Sequence, residues 1–216
     1  MLTAIVPTLN AAATLPACLG GLIHADEIIV ADGGSSDGGP ELAQAHGARV
    51  VRSEKGRGTQ LRAGAAAAAG DWLLFLHADT ILAPGWRAEA DRHMAERPRA
   101  PACFRFALDA PDWQARLIEA GVGLRVRAFG LAYGDQGLLV SRPAYEAAGG
   151  YRPLPLMEDV DLVRRLPPVV PLPSAALTSA ERWRRDGWLR RSGRNLACLA
   201  LHRIGVSAER VARLYG

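Results

Sequence analysis

Four short apolar runs, Leu2 to Pro7, Glu27 to Ala31, Ala48 to Arg52 and Trp72 to His77, are separated by three stretches of helical character, Thr14 to Leu22, Pro40 to His46 and Thr59 to Ala69. The runs are too short for buried helices and suit strands. Strands that alternate with helices need crossover connections, so the pattern predicts an α/β chain with a Rossmann-like, mostly parallel central sheet and helices on both faces. Ile28-Ile29-Val30 and Leu73-Leu74-Phe75-Leu76 show no polar alternation because a strand covered on both faces has no wet side. Open sheets of this kind bind ligands beyond the C-terminal ends of their strands. Polar loops occupy those places at Thr8-Leu9-Asn10, Asp32 to Gly39, Ser53 to Gly58 and His77 to Thr80.

Beyond Pro84 the alternation gives way to a helix over Gly85 to Glu96, a strand over Ala102 to Leu108, a helix from Asp112 to about Phe129 and a strand over Gly137 to Ser141. No Gly/Ser-rich or charged spacer divides the halves. The 216 residues are therefore expected to form one domain over 1–183, with a basic helical extension over 184–216 packed on it. Pro153, Pro155, Pro167, Pro168, Pro171 and Pro173 bracket the segment that carries Glu158-Asp159, which predicts a short helix clipped between stiff turns. Two further short helices fill Arg190 to Tyr215, separated near Gly205.

The net charge of +4 suggests nucleic acid only until it is divided along the chain. From Glu181 onward nine arginines face three carboxylates, a surplus of six, so the part with the strand-end loops is slightly acidic. Nucleic-acid binding is therefore not expected. The tail from Arg182 to Arg213 reads as a peripheral membrane contact, as solvated helices or as a homodimer face. Cys18, Cys103 and Cys198 have no ligand-like spacing, and no run reaches bilayer-spanning length or has the pattern of a leader. The expected location is cytoplasmic, with contact at the inner face of the membrane if the tail binds lipid.

Several loops carry residues with chemical potential. In Asp32-Gly33-Gly34-Ser35-Ser36-Asp37-Gly38, glycines permit close approach of a ligand, and a carboxylate can accept from a base imide or ribose hydroxyls. The same residue types also make ordinary turns and caps. Lys55-Gly56-Arg57-Gly58 precedes a helix, where cations and exposed amides suit a diphosphate, with Arg62 about one turn further on. His77-Ala78-Asp79-Thr80 ends an apolar strand with a hard oxygen donor suited to Mg²⁺ or Mn²⁺; His77 reads as a partner or a packed residue more than as a ligand. On a helix starting near Glu158, Asp159 and Asp161 cannot share a face, so one carboxylate is expected in the cleft and another in a cap or ion pair. Arg182 could clamp a diphosphate and Trp183 stack on a sugar, against the plainer reading of a core tryptophan beside an ion-paired arginine.

Taken in order, Val6-Pro7-Thr8-Leu9-Asn10, Asp32 to Gly38, Leu76-His77-Ala78-Asp79-Thr80, Gly149-Gly150-Tyr151 and Met157-Glu158-Asp159 resemble the bacterial family 2 glycosyltransferases and their GT-A fold. Tyr133-Gly134-Asp135-Gln136-Gly137 is similar to the small selenodomain-associated or arsenosugar-type subgroup. The resemblance implies inverting transfer from a nucleoside-diphosphate sugar to an unidentified acceptor hydroxyl. It places Pro7, Thr8, Asn10, Asp32, Gly34, Arg57, Arg62, His77 and Ala78 around the nucleotide sugar, with Asp32 near the base or ribose. It makes Asp79 the contact for a divalent cation, Mn²⁺ or Mg²⁺, and Asp159 the general base. Asp135, Gln136, Glu158, Arg182 and Trp183 then belong to the acceptor or diphosphate side. Two residues depart from the family pattern: His77 replaces the first Asp of Asp-x-Asp, and Ser179 replaces the Gln of Gln-x-x-Arg-Trp. The rival readings are a sugar nucleotidyltransferase, which would carry a Gly-rich basic loop where this chain has Pro7 to Asn10, and a non-catalytic nucleotide-sugar-binding scaffold, which would need no base.

Overall fold

The computed structural model describes residues 1–215. The expected βα units form with small shifts at their ends: β1 (Leu2–Thr8), α1 (Leu15–Gly21), β2 (Glu27–Asp32), α2 (Gly39–Ala45), β3 (Arg49–Arg52), α3 (Arg57–Ala67) and β4 (Trp72–Phe75). Helix α3 starts two residues earlier than its apolar pattern suggests, which puts Arg57 in its first turn, beside the strand ends. These four strands are mutually parallel in the order β3-β2-β1-β4, as crossover helices require.

The second half adds β5 (Thr80–Leu82), α4 (Trp86–Glu96), β6 (Ala102–Leu108), α5 (Trp113–Phe129), a 3-10 turn at Gly134–Gln136, β7 (Leu138–Ser141), α6 (Arg142–Ala147), α7 (Glu158–Val163) and β8 (Val170–Thr178). The eight-stranded sheet runs on from β4 as β7-β6-β8-β5. Strand β7 is antiparallel to both of its neighbours, β8 is parallel to β6, and β5 is antiparallel to β8, so the sheet is parallel in its first half and mixed in its second. Strands β5 and β8 lie outside the expected set: β5 is only three residues long, and the prolines of residues 167–173 read as turns. Pro171 and Pro173 in fact lie inside β8. They are tolerated because β5 pairs only with Ala176 to Thr178, which leaves the proline end of β8 without a second neighbour, and because the register with β6 slips between Phe104 and Arg105.

Both sheet faces are covered. Leu2, Ala4, Val6, Leu74 and Leu76 pack with Leu15 and Leu19 of α1, Leu22 just after it and Trp86 of α4 on one side. Ile5, Ile29, Leu73, Phe75 and Val140 pack with Leu61, Tyr145 and Leu162 of α3, α6 and α7 on the other. Each such buried Leu or Ile contributes roughly 1.5–3 kcal/mol, which fixes the strand register and with it the positions of the loops at the strand ends. A third cluster joins Phe106, Leu108 and Ala115 to Ala180 and Trp183. Beyond it lie α8 (Glu181–Asp186), α9 (Trp188–Arg203) and α10 (Ala208–Tyr215). Among the described residues no helix is long and apolar enough to cross a membrane, and Cys18, Cys103 and Cys198 are free and buried.

Candidate active site

The loops after β1 and β2 are laced into one unit. Asp32, 2% exposed, accepts hydrogen bonds from the Gly34 and Ser35 amides at 3.0 and 3.1 Å, from the Ser35 hydroxyl, and from the Thr8 hydroxyl at 3.3 Å. Burial alone would raise its pKa, but these donors, Ser35 foremost, outweigh burial and hold the carboxyl below its usual range. Asn10 sits in the left-handed region at φ 53°, which Asn tolerates better than most residues. Its amide donates to Ser35 Oγ, and its side-chain oxygen accepts from the Ser36 amide, each at 2.9 Å. Beneath this lacing lies Gln60, buried on α3, which donates to the Thr8 and Ala31 carbonyl oxygens at 2.6 and 3.0 Å. The sequence reading missed Gln60, because a glutamine in a helix carries no signal until the neighbouring strand ends are known. Pro7 is buried in β1, whereas Gly34 is exposed.

Across the β1/β4 end of the sheet, His77, Asp79, Asp135 and Asp159 form a second cluster. Asp159 Oδ2 accepts from the Gly134 amide and Oδ1 from the Val160 amide, both at 2.7 Å. The two donors fix the carboxylate's direction. Gly134 has no room for a side chain: a Cβ there would stand 2.5 Å from His77 Nε2 and 3.2 Å from Asp159 Oδ2. Burial and then the positive field of Arg57 push the His77 imidazole down to about 4, against the opposing pull of Asp79 and Asp159, so the ring is neutral near pH 7. Burial raises the Asp135 carboxyl to about 6; Arg125 opposes the shift, while Asp159 and Asp79 add to it. Ala78 is buried between His77 and Asp79.

Glu158 and Asp161 face elsewhere. Asp161 pairs with Arg165 at 2.5 Å and with Arg152 at 3.1 Å. Glu158 is fully buried and receives the Arg57 guanidinium through Oε1; burial raises its pKa although Arg57 acts against the shift. This pair holds the first turn of α3 to the first turn of α7. Met157, just before that turn, sits in the left-handed region at φ 64°, a strained place for a residue with a Cβ.

A divalent cation needs hard oxygen donors with unused lone pairs. Asp79 Oδ1 and Asp135 Oδ1 are buried without a hydrogen-bond partner, and Asp79 Oδ2 lies 4.0 Å from Arg182. Among the described residues no three His, Cys, Asp or Glu side chains form a preformed cage. The donors present therefore suit an ion that completes its shell with water and substrate phosphate, as Mg²⁺ and Mn²⁺ do.

Three candidate residues lie away from this cluster. Gln136 is buried, with its amide used by the Phe104 carbonyl, Arg125 and the Tyr133 amide. Trp183 is 8% exposed in the third cluster, tilted against Phe106 and under Arg191, so its ring is a core element. Arg62 is exposed on α3, with its field felt at the Tyr145 hydroxyl. Arg182 is 59% exposed beside Asp79. A separate cavity of 520 Å³ lies at the N-terminal end of β4, lined by Trp72, Arg99, Ser141 and Pro143. It is at the opposite end of that strand from His77, and it has none of the clustered carboxylates.

The same fold is found in solved GT-A glycosyltransferases. A mannosyltransferase from Pyrobaculum calidifontis, solved with GDP-Man and Mn²⁺, superposes with a TM-score of 0.66 at 17% identity, over 91% of this chain and 60% of that one. Glucosyl-3-phosphoglycerate synthase from Mycobacterium tuberculosis, solved with Mn²⁺, UDP and glucosyl-3-phosphoglycerate, gives 0.57 at 21% identity, over 83% of this chain and 70% of that one. Residues 3–125 match the model of glycosyl transferase family 2. The chain belongs to that family, whose members transfer sugars. A PGL/p-HBAD biosynthesis glycosyltransferase of Mycobacterium tuberculosis is 37% identical over 93 residues, 38% of this chain and 36% of that relative. The matched part is thus about a third of the relative's length.

Proposed function

We propose that this protein is an inverting glycosyltransferase that moves a sugar from a nucleoside-diphosphate sugar to an acceptor hydroxyl, with Asp159 as general base. The observation that carries the reading is the seating of Asp159 by two amide donors, in a cluster that also contains Asp79 with an unpartnered oxygen. Structural neighbours solved with UDP or GDP-Man and Mn²⁺ support the donor class. The laced loops of Thr8 to Asn10 and Asp32 to Ser36 would receive the nucleotide, with the Asp32 carboxylate holding its loop in shape. Arg57 and Arg182 would face the diphosphate and offset charge that builds up as it departs. Asp159 would take the proton of an acceptor hydroxyl approaching from the face opposite the nucleotide. A divalent cation held by Asp79 would supply Lewis-acid stabilisation of the leaving diphosphate. Within the family we read the chain as a member of the small selenodomain-associated or arsenosugar-type subgroup, with residues 184–216 as a helical extension of a single catalytic domain.

The test begins with thermal shift against UDP-, GDP-, CDP- and dTDP-sugars, with and without Mn²⁺, to find the donor. Donor hydrolysis and transfer to acceptor mixtures are then compared for the wild type and Asp159→Asn. The variant is expected to lose turnover by about 100-fold or more while binding the donor within about two-fold of wild type. Unchanged turnover removes Asp159 from the role.

A further inference from the structure

We infer that the outer face of α5, together with that of α9, is a docking surface for an anionic lipid bilayer. Helix α5 turns Ala115, Ile118, Val122 and Val126 toward the body of the protein. Its opposite side carries Trp113, Leu117, Ala120, Leu124 and Ala128, whose spacing of four, three, four and four residues puts them in one stripe. Trp113, Leu117 and Leu124 are 70%, 64% and 69% exposed. A contiguous stripe of this kind, unlike scattered surface leucines, marks a face that meets something apolar. Helix α9 repeats the arrangement with Leu189, Gly193, Leu196 and Ala200, all exposed. The two helices share the third cluster through Ile118, Val122 and Trp188, and Arg184 ties α8 to Asp112 at the start of α5.

Charge selects the occupant. Exposed Arg127 and Arg190 border the two stripes, and the chain from Glu181 onward carries a surplus of six positive charges. A second copy of the same face would bring like charges together. A layer of anionic headgroups neutralises them, while the boundary below accepts the leucines and the indole of Trp113, a ring suited to that depth. Arg125 also links α5 to the site, by stacking over Tyr133 and donating to Gln136 and the Leu131 carbonyl oxygen. A docked α5 therefore lies next to the loop that carries Gly134 and Asp135.

The inference is independent of the reaction assigned above, and its test needs no turnover. The full chain is floated with vesicles of phosphatidylcholine alone and of phosphatidylcholine mixed with phosphatidylglycerol, at low and high salt, and its mass in solution is measured by light scattering. The wild type is expected to float with the mixed vesicles in low salt and to be released by high salt. Leu117→Glu/Leu124→Glu, at exposed positions, is expected to keep its melting temperature and to lose partitioning by about ten-fold or more. Arg190→Glu is expected to weaken the salt-sensitive part. Failure of the wild type to float overturns the inference, as does equal flotation of the double variant. A solution dimer that the double variant converts to monomer also overturns it, by making the face a self-association surface.

Discussion

Gln60 is the internal fastening of the loops after β1 and β2, and its removal gives a direct measure of how strongly they are held. Gln60 is 4% exposed, and its amide donates to two backbone carbonyls, Thr8 on β1 and Ala31 on β2. Gln60→Leu keeps nearly the same volume and removes both bonds. The Thr8 carbonyl keeps the Gly33 amide at 2.9 Å, so its loss is the net value of one hydrogen bond, about 1 kcal/mol. The Ala31 carbonyl likewise keeps the Thr8 amide in the parallel ladder, where Thr8 pairs with Asp32, so its loss is again about 1 kcal/mol. The expected destabilisation is therefore about 2 kcal/mol, a fall in melting temperature of roughly 4–8 °C for a chain of this size. Urea titration followed by tryptophan fluorescence reads it. Gln60→Glu adds a signed control, since a carboxylate aimed at two carbonyls has a raised folded-state pKa. Its stability should be highest at low pH and fall as pH rises through that value, with the opposite slope impossible on this geometry. A Gln60→Leu variant within about 0.5 kcal/mol of wild type would refute the fastening role.

Three further outcomes follow from the site. In metal-free protein, the burial that lifts Asp135 to about 6 means that stability is full below its unfolded pKa near 3.8 and is lost as pH rises through about 6. Asp135→Asn should flatten that fall, which is on the order of 3 kcal/mol, when urea midpoints at acid and mildly alkaline pH are compared; an unchanged slope rejects the assignment. Asp79→Asn should abolish the gain in nucleoside-diphosphate affinity that Mn²⁺ confers on the wild type, measured by titration calorimetry, and a retained gain would move the cation elsewhere. Gly58→Ala should destabilise by about 1–3 kcal/mol, because a Cβ there overlaps the Arg152 carbonyl oxygen, which is backbone and cannot swing away; an unchanged thermal melt would show that the two segments part easily.

The parallel half of the fold was legible because its signal is local. Each strand of β1 to β4 is an apolar run that ends in a polar loop, and the register Ile5↔Ile29 and Ile5↔Phe75 follows from burying those runs. Strand β8 was hidden because its prolines are allowed by what is missing beside them, an absent neighbour and a slip in register, and neither is written in residues 170–178 themselves. The same division holds in the site. Asp79 and Asp159 announce themselves as carboxylates at the ends of recognisable patterns. Gln60, the strained Met157 and the burial of Trp183 depend on partners far away in the chain. Gln136 sat in a conspicuous motif, yet its amide is spent on Phe104 and Arg125.

His77 shows how a departure from a pattern can be structural rather than a simple loss. An aspartate at that position would add a carboxylate to a cluster in which Asp79 and Asp159 already raise the Asp135 pKa. A neutral imidazole adds no charge. Its ring also forms the wall against which Gly134 packs, and the Gly134 amide is one of the two donors that seat Asp159. The residue type at 77 is therefore coupled through Gly134 to the direction of the carboxylate assigned as base, across 82 positions of sequence. A smaller side chain at 77 would leave that turn without its wall, and a larger one at 134 would displace the ring. The side chain at 77 therefore acts on Asp159 through packing against Gly134 rather than through charge.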